Sequence, residues 1–595
     1  MRCVSHVPFP RAPWSCIVDS AQPRSLDGRT SVAVLTPDRH AEEEAADANE
    51  SPKATNVRGR LPIAAVVFAV LLGIYASSPA PLPTWDAYAN VFPALSLLND
   101  GDLELAPTEI PFLFAWSMPG RRLQIPVWER MIIDGTPADA LHRDGKLRMD
   151  GSPYYFVVRA PGGEWIGSEP PGAALAAAPL FKLLTLPDTA ASLRNVVPLV
   201  AQSKLVAAFF TAVTAAIVFL IAARWLGTAR GLLVAAIFGL GTCAWSLGSQ
   251  ALWAQTAMQP FVALGIDQFF RLRDGRRGFA VTTGLALGCA VCVRSTSLFV
   301  LVAIGAYLLA TDRKALALCI AGALPPLAVL AAYNARHFGS PFVEAHMTMG
   351  TAVAVAKTGS PDLWSTPLWQ GALGLLVSPA RGLLVYSPIL VLSFVGAYHA
   401  LRDAGWRPFA PLVVAAAVVM AMRFKWFDWW GGFSYGYRPL MDAIVPLTLL
   451  TIPALGARRF DGRAARAFVA VALAWSIAVQ WIGTAYDSQS WDRHGGTDTR
   501  VNRNVDDPKF RDRLWSLTDT PILWYLVHRD EALAIRNAAL YRFMKPPVEM
   551  RRATELTQPR TSATRKNVRG NAESATRFPR PSRRCSRYPC AEGRR

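Results

Sequence analysis

Stretches of roughly twenty predominantly apolar residues recur from Leu61 to Thr484, and that recurrence limits the fold more than any single motif. A helix needs about 20 such residues to cross about 30 Å of hydrocarbon, where every backbone polar group must be satisfied within its own segment. We read windows at 61–79, 196–222, 229–247, 252–270, 278–293, 296–311, 314–334, 382–401, 407–422, 439–457 and 465–484. The expectation is an all-α polytopic membrane protein with about 11 transmembrane helices. With 52% hydrophobic and 18% charged residues over 595 positions, a disordered chain is excluded and a soluble multidomain enzyme is disfavoured, because no globular surface covers so much apolar side chain. Residues 278–311 taken as one helix would run about 50 Å, too long for one span. Two short helices meeting at Arg294 fit better and place Arg294 in a cavity below the outer surface.

The formal charge of +19 does not point to nucleic acid. Thirteen basic and three acidic residues fall between Arg551 and Arg595, and the rest follows the positive-inside pattern. Basic clusters at Lys53/Arg58/Arg60, Arg224/Arg230, Arg271/Arg273/Arg276/Arg277, Arg313/Lys314, Arg402/Arg407 and Arg458/Arg459/Arg463/Arg466 all fall on one side of this threading. The N-terminus is therefore expected in the cytoplasm and the C-terminus outside, in a multi-pass protein of the cell's inner membrane. The organisation expected is a disordered leader over 1–60, a multi-span domain over 61–484, an extracytoplasmic segment over 485–550 and a disordered basic tail over 551–595. A large first outer loop occupies 80–195, and its apolar run Ala173–Leu186 is too short to cross easily and is placed on the interface. A second outer loop covers 336–381. Trp491, Trp515 and Trp524 suggest that the C-terminal segment docks on the rest. The eight cysteines form no framework: Cys243, Cys289, Cys292 and Cys319 lie in apolar runs, where free Cys acts as a small hydrophobe.

Two stretches carry chemistry. Asp86 follows the first window in Thr84-Trp85-Asp86-Ala87-Tyr88. A partly desolvated carboxylate at the membrane edge suits a general base; the plain alternative is a solvated acid beside interfacial aromatics. The run Trp426-Phe427-Asp428-Trp429-Trp430-Gly431-Gly432-Phe433-Ser434-Tyr435-Gly436-Tyr437-Arg438-Pro439 exceeds what an aromatic belt needs. Its glycines permit tight turns, and Arg438 offers a fork for phosphate. Glu169, Trp253 with Gln255, and Arg381 ahead of Tyr386-Ser387-Pro388 are weaker outer-face candidates. Asp442, one turn inside its window, must face protein, with Arg438 four residues earlier as its natural partner. Asp267 and Arg271 form an ordinary helix pair, and Gly284-Leu-Ala-Leu-Gly288 is close helix packing. No residue is assigned to a metal. A divalent cation is the one candidate cofactor, and the spacing of His337, Glu344 and His346 as its ligands is common by chance.

The acidic residue after the first window, the loop carrying Ala94-Leu95-Ser96-Leu97-Leu98-Asn99-Asp100-Gly101-Asp102-Leu103-Glu104-Leu105, Tyr333-Asn334-Ala335-Arg336-His337-Phe338-Gly339-Ser340-Pro341-Phe342, Arg381-Gly382-Leu383-Leu384-Val385-Tyr386-Ser387-Pro388 and Trp430-Gly431-Gly432 together resemble the C-type membrane glycosyltransferases. The resemblance spans about 61–530 and is strongest to the bacterial branch similar to protein O-mannosyltransferases and lipid A glycosyltransferases. It implies a polyprenyl-phosphate sugar as donor, an acceptor hydroxyl on lipid, glycan or protein, and Asp86 as the catalytic carboxylate, acting as base or acceptor-positioning group. On this chain it leads us to expect donor-phosphate binding by Arg438, Arg294 and Arg381 and substrate contacts from Tyr88, Glu169, Trp253, Trp430, Tyr435 and Tyr437. Ala87 stands where many relatives carry a second acid, and Tyr435-Gly436-Tyr437-Arg438 stands where relatives read Tyr-Gly-Pro-Arg; Glu129, Glu164 and Glu169 are the candidate second acids. The rival readings are a polytopic lipid or solute transporter and a non-catalytic envelope scaffold.

Overall fold

The computed structural model describes residues 57–78, 84–105, 116–117, 147–148, 156–184, 196–272, 275–457, 462–493, 503–534 and 536. The leader up to residue 56, Glu129 and the basic tail lie outside the described residues.

All eleven apolar windows are helical over most of their length. The helices in chain order are α1 (Leu61–Ser77), α2 (Tyr88–Asn99), α3 (Gly172–Leu184), α4 (Val196–Leu226), α5 (Thr228–Gly241), α6 (Ala254–Leu272), α7 (Gly278–Val293), α8 (Leu298–Thr311) and α9 (Arg313–Phe338). They continue with α10 (Ala345–Thr358), α11 (Leu368–Val377), α12 (Val391–Arg402), α13 (Ala410–Lys425), α14 (Ile444–Leu449), α15 (Thr451–Gly456), α16 (Arg463–Tyr486) and α17 (Pro521–Val527). Among the described residues, five helical stretches are long and apolar enough to cross a membrane: Ala201–Leu226, Arg313–Phe338, Ala404–Lys425, Arg438–Gly456 and Arg463–Tyr486. The chain is an integral membrane protein.

Two windows are broken at prolines, which supply no N–H to the helical ladder, and the window at 229–247 breaks at Thr242, which is extended between α5 and a π turn over Ala244–Gly248. The window at 382–401 breaks at Ser387-Pro388 into the short turns Leu383–Tyr386 and Pro388–Leu390 ahead of α12. The window at 439–457 is a 3₁₀ turn, Arg438–Ala443, followed by α14 and α15, with Pro439, Pro446 and Pro453 at the start of the three pieces. The chain is also not purely helical. In the first outer loop Trp116–Ser117 pairs with Leu147–Arg148, and Val157–Arg159 forms an antiparallel hairpin with Trp165–Gly167, closed over Pro161-Gly162-Gly163. The β-branched and aromatic residues flanking that Gly-Gly turn favour the pairing.

At one end the basic residues interlock: Arg271 Nε lies 2.6 Å and Arg224 Nη2 3.6 Å from Asp267, Arg277 Nε lies 3.1 Å from Asp312, and Arg230 donates to the Leu455 carbonyl. The Asp267–Arg271 helix pair thus forms as its spacing predicts. From this end α7 and α13 run to Arg294 and Arg423 at the other, where the candidate site lies. Helices α7 and α9 approach backbone to backbone: a Cβ on Gly284 would lie 1.8 Å from the Cys319 carbonyl oxygen, and one on Gly322 2.0 Å from that of Val281. Gly284→Val is expected to separate the pair and cost about 3 kcal/mol or more, read as lost thermal stability of the detergent-purified protein.

Candidate functional site

Asp86 sits in a 3₁₀ turn, Trp85–Ala87, that leads directly into α2. This short entry fixes the carboxylate at the end of the bundle rather than leaving it on a free loop. Its partner is Arg438, 352 residues away in sequence, whose Nη1 donates to Asp86 Oδ2. Both remain reachable, with side chains 34% and 18% exposed. Arg438 is oriented by a second bond, Nη2 to the Gly431 carbonyl at 2.6 Å, and by the Trp253 ring, 4.6 Å from its guanidinium. The aromatic loop and the start of α6 therefore hold one guanidinium fork against the first loop's acid.

A second, drier cluster adjoins this pair. Asp442 accepts from Arg294 Nε at 2.8 Å and from Arg423 Nη2 at 2.5 Å. Arg294 Nη1 also donates to Glu169 Oε2 at 3.2 Å, and His346 Nδ1 lies 3.2 Å from Glu169 Oε1. The expected pairing of Asp442 with Arg438 is corrected here. The i,i+4 rule belongs to an α-helix, whereas Arg438–Ala443 is a 3₁₀ turn, with three residues per turn, so Asp442 points to a different face and meets Arg294 and Arg423. Arg294 is buried, as its place between α7 and α8 suggests. Arg423 and Arg294 share Asp442, which lies in the same 3₁₀ turn as Arg438, so the two clusters adjoin through Arg438–Ala443. Sequence reading missed Arg423 because the apolar window was closed one residue before it; a basic residue in the last turn of an apolar helix was the available signal.

Burial works against the charge of Glu169, but His346, Arg294 and Arg423 outweigh it and lower its carboxyl from 4.5 to about 2. A carboxylate held that low is a poor proton acceptor, so Glu169 acts here as the anchor of the first loop on Arg294. The sign of the pH effect follows from the lowered value: its contribution to stability is complete above the ordinary carboxylate range and is lost as pH falls from about 5 toward 2. Melting temperature measured between pH 6 and pH 3 should therefore drop, with a shallower slope in Glu169→Gln.

Several expected contacts are turned inward. Tyr435 donates to the Val479 carbonyl at 2.9 Å, and Tyr437 lies 2.7 Å from Ser387 Oγ while accepting from the Cys243 amide at 3.1 Å. Tyr88 is buried beside Phe92. Trp430 donates to Asp506 at 2.9 Å under the guanidinium of Arg511. Arg381 is fully buried, paired with Asp492 and donating to the Trp430 and Gly432 carbonyls at 3.1 and 3.3 Å. Tyr435, Tyr437, Trp430 and Arg381 are turned away from the Asp86–Arg438 pair and shape the loop that carries Arg438, while Tyr88 packs on α2, two residues beyond Asp86. A latch that sequence reading did not identify holds the same loop: Lys357 Nζ lies 2.9 Å from Asp428 and 3.2 Å from Asp506. Burial opposes the Lys357 charge, and the two carboxylates more than offset it, leaving the ammonium above its usual range.

His337 pairs with Glu164 at 3.1 Å, His346 with Glu169, and Ser295 donates to Glu344 at 2.5 Å. The three candidate cation ligands thus have separate partners, and among the described residues no group of three or more His, Cys, Asp or Glu side chains could hold a metal ion. Neutral polar groups do gather beside the pair. Asn90, one turn beyond Asp86, donates to the Leu252 carbonyl at 3.0 Å, and Asn90 Oδ1, Trp253 Nε1 and Gln259 Oε1 are buried without a hydrogen-bond partner.

No family model matches the sequence, and no curated protein matches it. Among solved structures, the chain is similar to the crystal structure of ArnT from Cupriavidus metallidurans bound to undecaprenyl phosphate. The two are 11% identical, with 84% of this chain and 76% of that chain covered and a TM-score of 0.43. The apo-state crystal structure of the same ArnT is 12% identical over the same shares, with a TM-score of 0.37.

Proposed function

We propose that the protein is a membrane glycosyltransferase that moves a sugar from a polyprenyl-phosphate donor to an acceptor hydroxyl at the extracytoplasmic face. The observation that carries this reading is the Asp86–Arg438 pair: a carboxylate and a guanidinium from opposite ends of the membrane domain meet on a half-open rim, backed by Arg423 and Arg294. A carboxylate beside clustered guanidinium groups suits base catalysis coupled to departure of a phosphate. In the step proposed, Asp86 takes the proton of an acceptor hydroxyl as its oxygen bonds to the anomeric carbon. The bond from that carbon to the phosphate oxygen breaks, and the electron pair leaves with the lipid phosphate. Arg438 exchanges Asp86 for the phosphate, with the positive field of Arg294 and Arg423 behind it. Arg381, spent on Asp492, supports the loop and takes no part in binding phosphate. The orphaned atoms of Asn90, Trp253 and Gln259 offer acceptors and a donor to sugar hydroxyls, since leaving such groups buried and unpaired costs about 1–3 kcal/mol each.

Purified protein in vesicles with a panel of polyprenyl-phosphate sugars tests the reading. Glycosylated product and free polyprenyl phosphate are expected together. Movement of the lipid or solute without product would identify a carrier instead, and neither outcome would leave a scaffold.

A further inference from the structure

Among the short helices that contain no charged residue are α11, Leu-Trp-Gln-Gly-Ala-Leu-Gly-Leu-Leu-Val, and α17, Pro-Ile-Leu-Trp-Tyr-Leu-Val. Both turn an apolar stripe outward. On α11, Trp369, Leu373 and Val377 recur at i, i+4 and i+8 and are 68%, 48% and 47% exposed. On α17, Leu523, Leu526 and Val527 sit at i, i+3 and i+4, with Val527 75% exposed. Helical spacing places each set on one face, so each helix has an amphipathic arrangement whose second face is simply the protein. Trp515 and Leu517, also exposed, lie on the chain between them.

The stripes belong to one patch. Ser378, immediately after α11, donates to the Leu514 carbonyl at 2.5 Å. Trp429 packs under α11, where a Cβ on Gly374 would meet its ring at 2.3 Å, and its centroid lies 5.8 Å from that of Trp515. The patch is also placed at a defined depth. Helix α11 packs on the last turn of α13, with a Cβ on Gly371 only 1.9 Å from the Phe424 carbonyl. Helix α17 sits at the end of α16, where Tyr525 donates to Asp487 at 2.8 Å and Arg536 donates to the Thr484 carbonyl at 2.5 Å. Both helices thus lie where two membrane-crossing stretches emerge, and at the end that carries the candidate site. Below them the apolar surface continues: Val414 and Val418 on α13, and Phe468, Val471 and Trp475 on α16, are all exposed.

We infer that α11, the 515–517 turn and α17 form an interfacial platform that lies on the lipid surface, so that the C-terminal segment is seated in the headgroup and upper acyl region rather than in bulk water. The occupant is lipid because the patch is continuous with the outward faces of membrane-crossing helices and sits at their exit. It also carries two tryptophans, which prefer the boundary between hydrocarbon and water. Charge-free helices with large apolar stripes have no stable place in water, and a stripe at the mouth of a span finds hydrocarbon within reach. The platform is built onto the aromatic loop through Trp429, whose neighbour Trp430 reaches Asp506. Seating it therefore fixes the loop that presents Arg438 relative to the bilayer. This inference stands on exposure and packing and does not depend on the proposed chemistry.

The test uses the full-length chain, purified and reconstituted in phosphatidylcholine vesicles doped with a lipid bearing a diazirine in its upper acyl chain. A parallel sample receives a water-soluble diazirine. After photolysis, labelled peptides are mapped by mass spectrometry, with α16 around Phe468–Trp475 as the lipid-facing reference and the exposed Lys509 as the aqueous one. The expected result is lipid-probe labelling of Leu368–Val377 and of 515–527 at a level within about threefold of the α16 reference, with little labelling from water. Labelling of these segments mainly by the aqueous probe overturns the inference. Labelling by neither probe also overturns it, since a second copy or another protein would then be covering the patch.

Discussion

Asp86→Asn is expected to lower sugar transfer by a factor of about 10² to 10⁴, the range that general-base assistance supplies, while the protein stays folded. The structure separates these two effects. Asp86 is about one-third exposed, and exposed ion pairs contribute about 0–1 kcal/mol, so losing the pair does little to stability. Arg438 keeps the Gly431 carbonyl and the Trp253 ring when the acid is neutralised, so the phosphate fork stays in place. The loss should therefore appear in turnover at saturating donor, with donor binding retained or improved because Arg438 no longer has an internal competitor. The check is initial rate against donor concentration for both proteins, alongside thermal melting. A variant that transfers at the parent rate would remove Asp86 from the reaction.

Asp442→Asn is expected to do the reverse and damage folding first. Asp442 is the common acceptor of Arg294 and Arg423, its side chain 1% exposed and theirs 8% and 10%. Removing one member of a buried charge cluster leaves its partners uncompensated, which costs about 3–5 kcal/mol. Here two guanidinium groups lose their shared carboxylate, and Arg423 loses its ion pair while Arg294 keeps its contact with Glu169. The expected result is a sharp fall in the yield of monodisperse protein and in melting temperature. An unchanged melting temperature would mean that the Arg294–Asp442–Arg423 cluster does not hold this end of the bundle together.

The apolar helices were legible because lipid imposes one rule on every backbone group, and an apolar window of sufficient length meets it only as helix; five of the stretches are long enough to cross a membrane among the described residues. The two windows fractured at proline show where that signal stops: hydropathy is blind to Pro388, Pro446 and Pro453, although proline could have been read as a break. Asp86, Arg294 and Arg438 were legible one at a time, each as a charged or basic group in an unusual setting. Their partners were not, because a pairing across 352 residues leaves no local periodicity. The aromatic loop was the most misleading stretch. Its glycines at 431, 432 and 436 all have positive φ, and they fold the loop back so that Tyr435 and Tyr437 plug the bundle while Arg438 emerges. A residue list cannot distinguish an aromatic that plugs from one that binds. The Lys357 latch was missed because its three members come from α10, the aromatic loop and the C-terminal segment, none of which marks the others.

The convergence of Asp86 and Arg438 is the claim on which the account depends, and cross-linking tests it most directly. In the double variant Asp86→Cys, Arg438→Cys, a short bifunctional methanethiosulfonate applied to membranes should join the two positions. Mass spectrometry of the digested protein distinguishes this link from any involving the native cysteines. We predict a linked peptide pair in high yield, abolished when either cysteine is restored to the parent residue. Both cysteines modified singly, with no linked pair, would show that the first loop and the aromatic loop do not meet, and the proposed site would not exist.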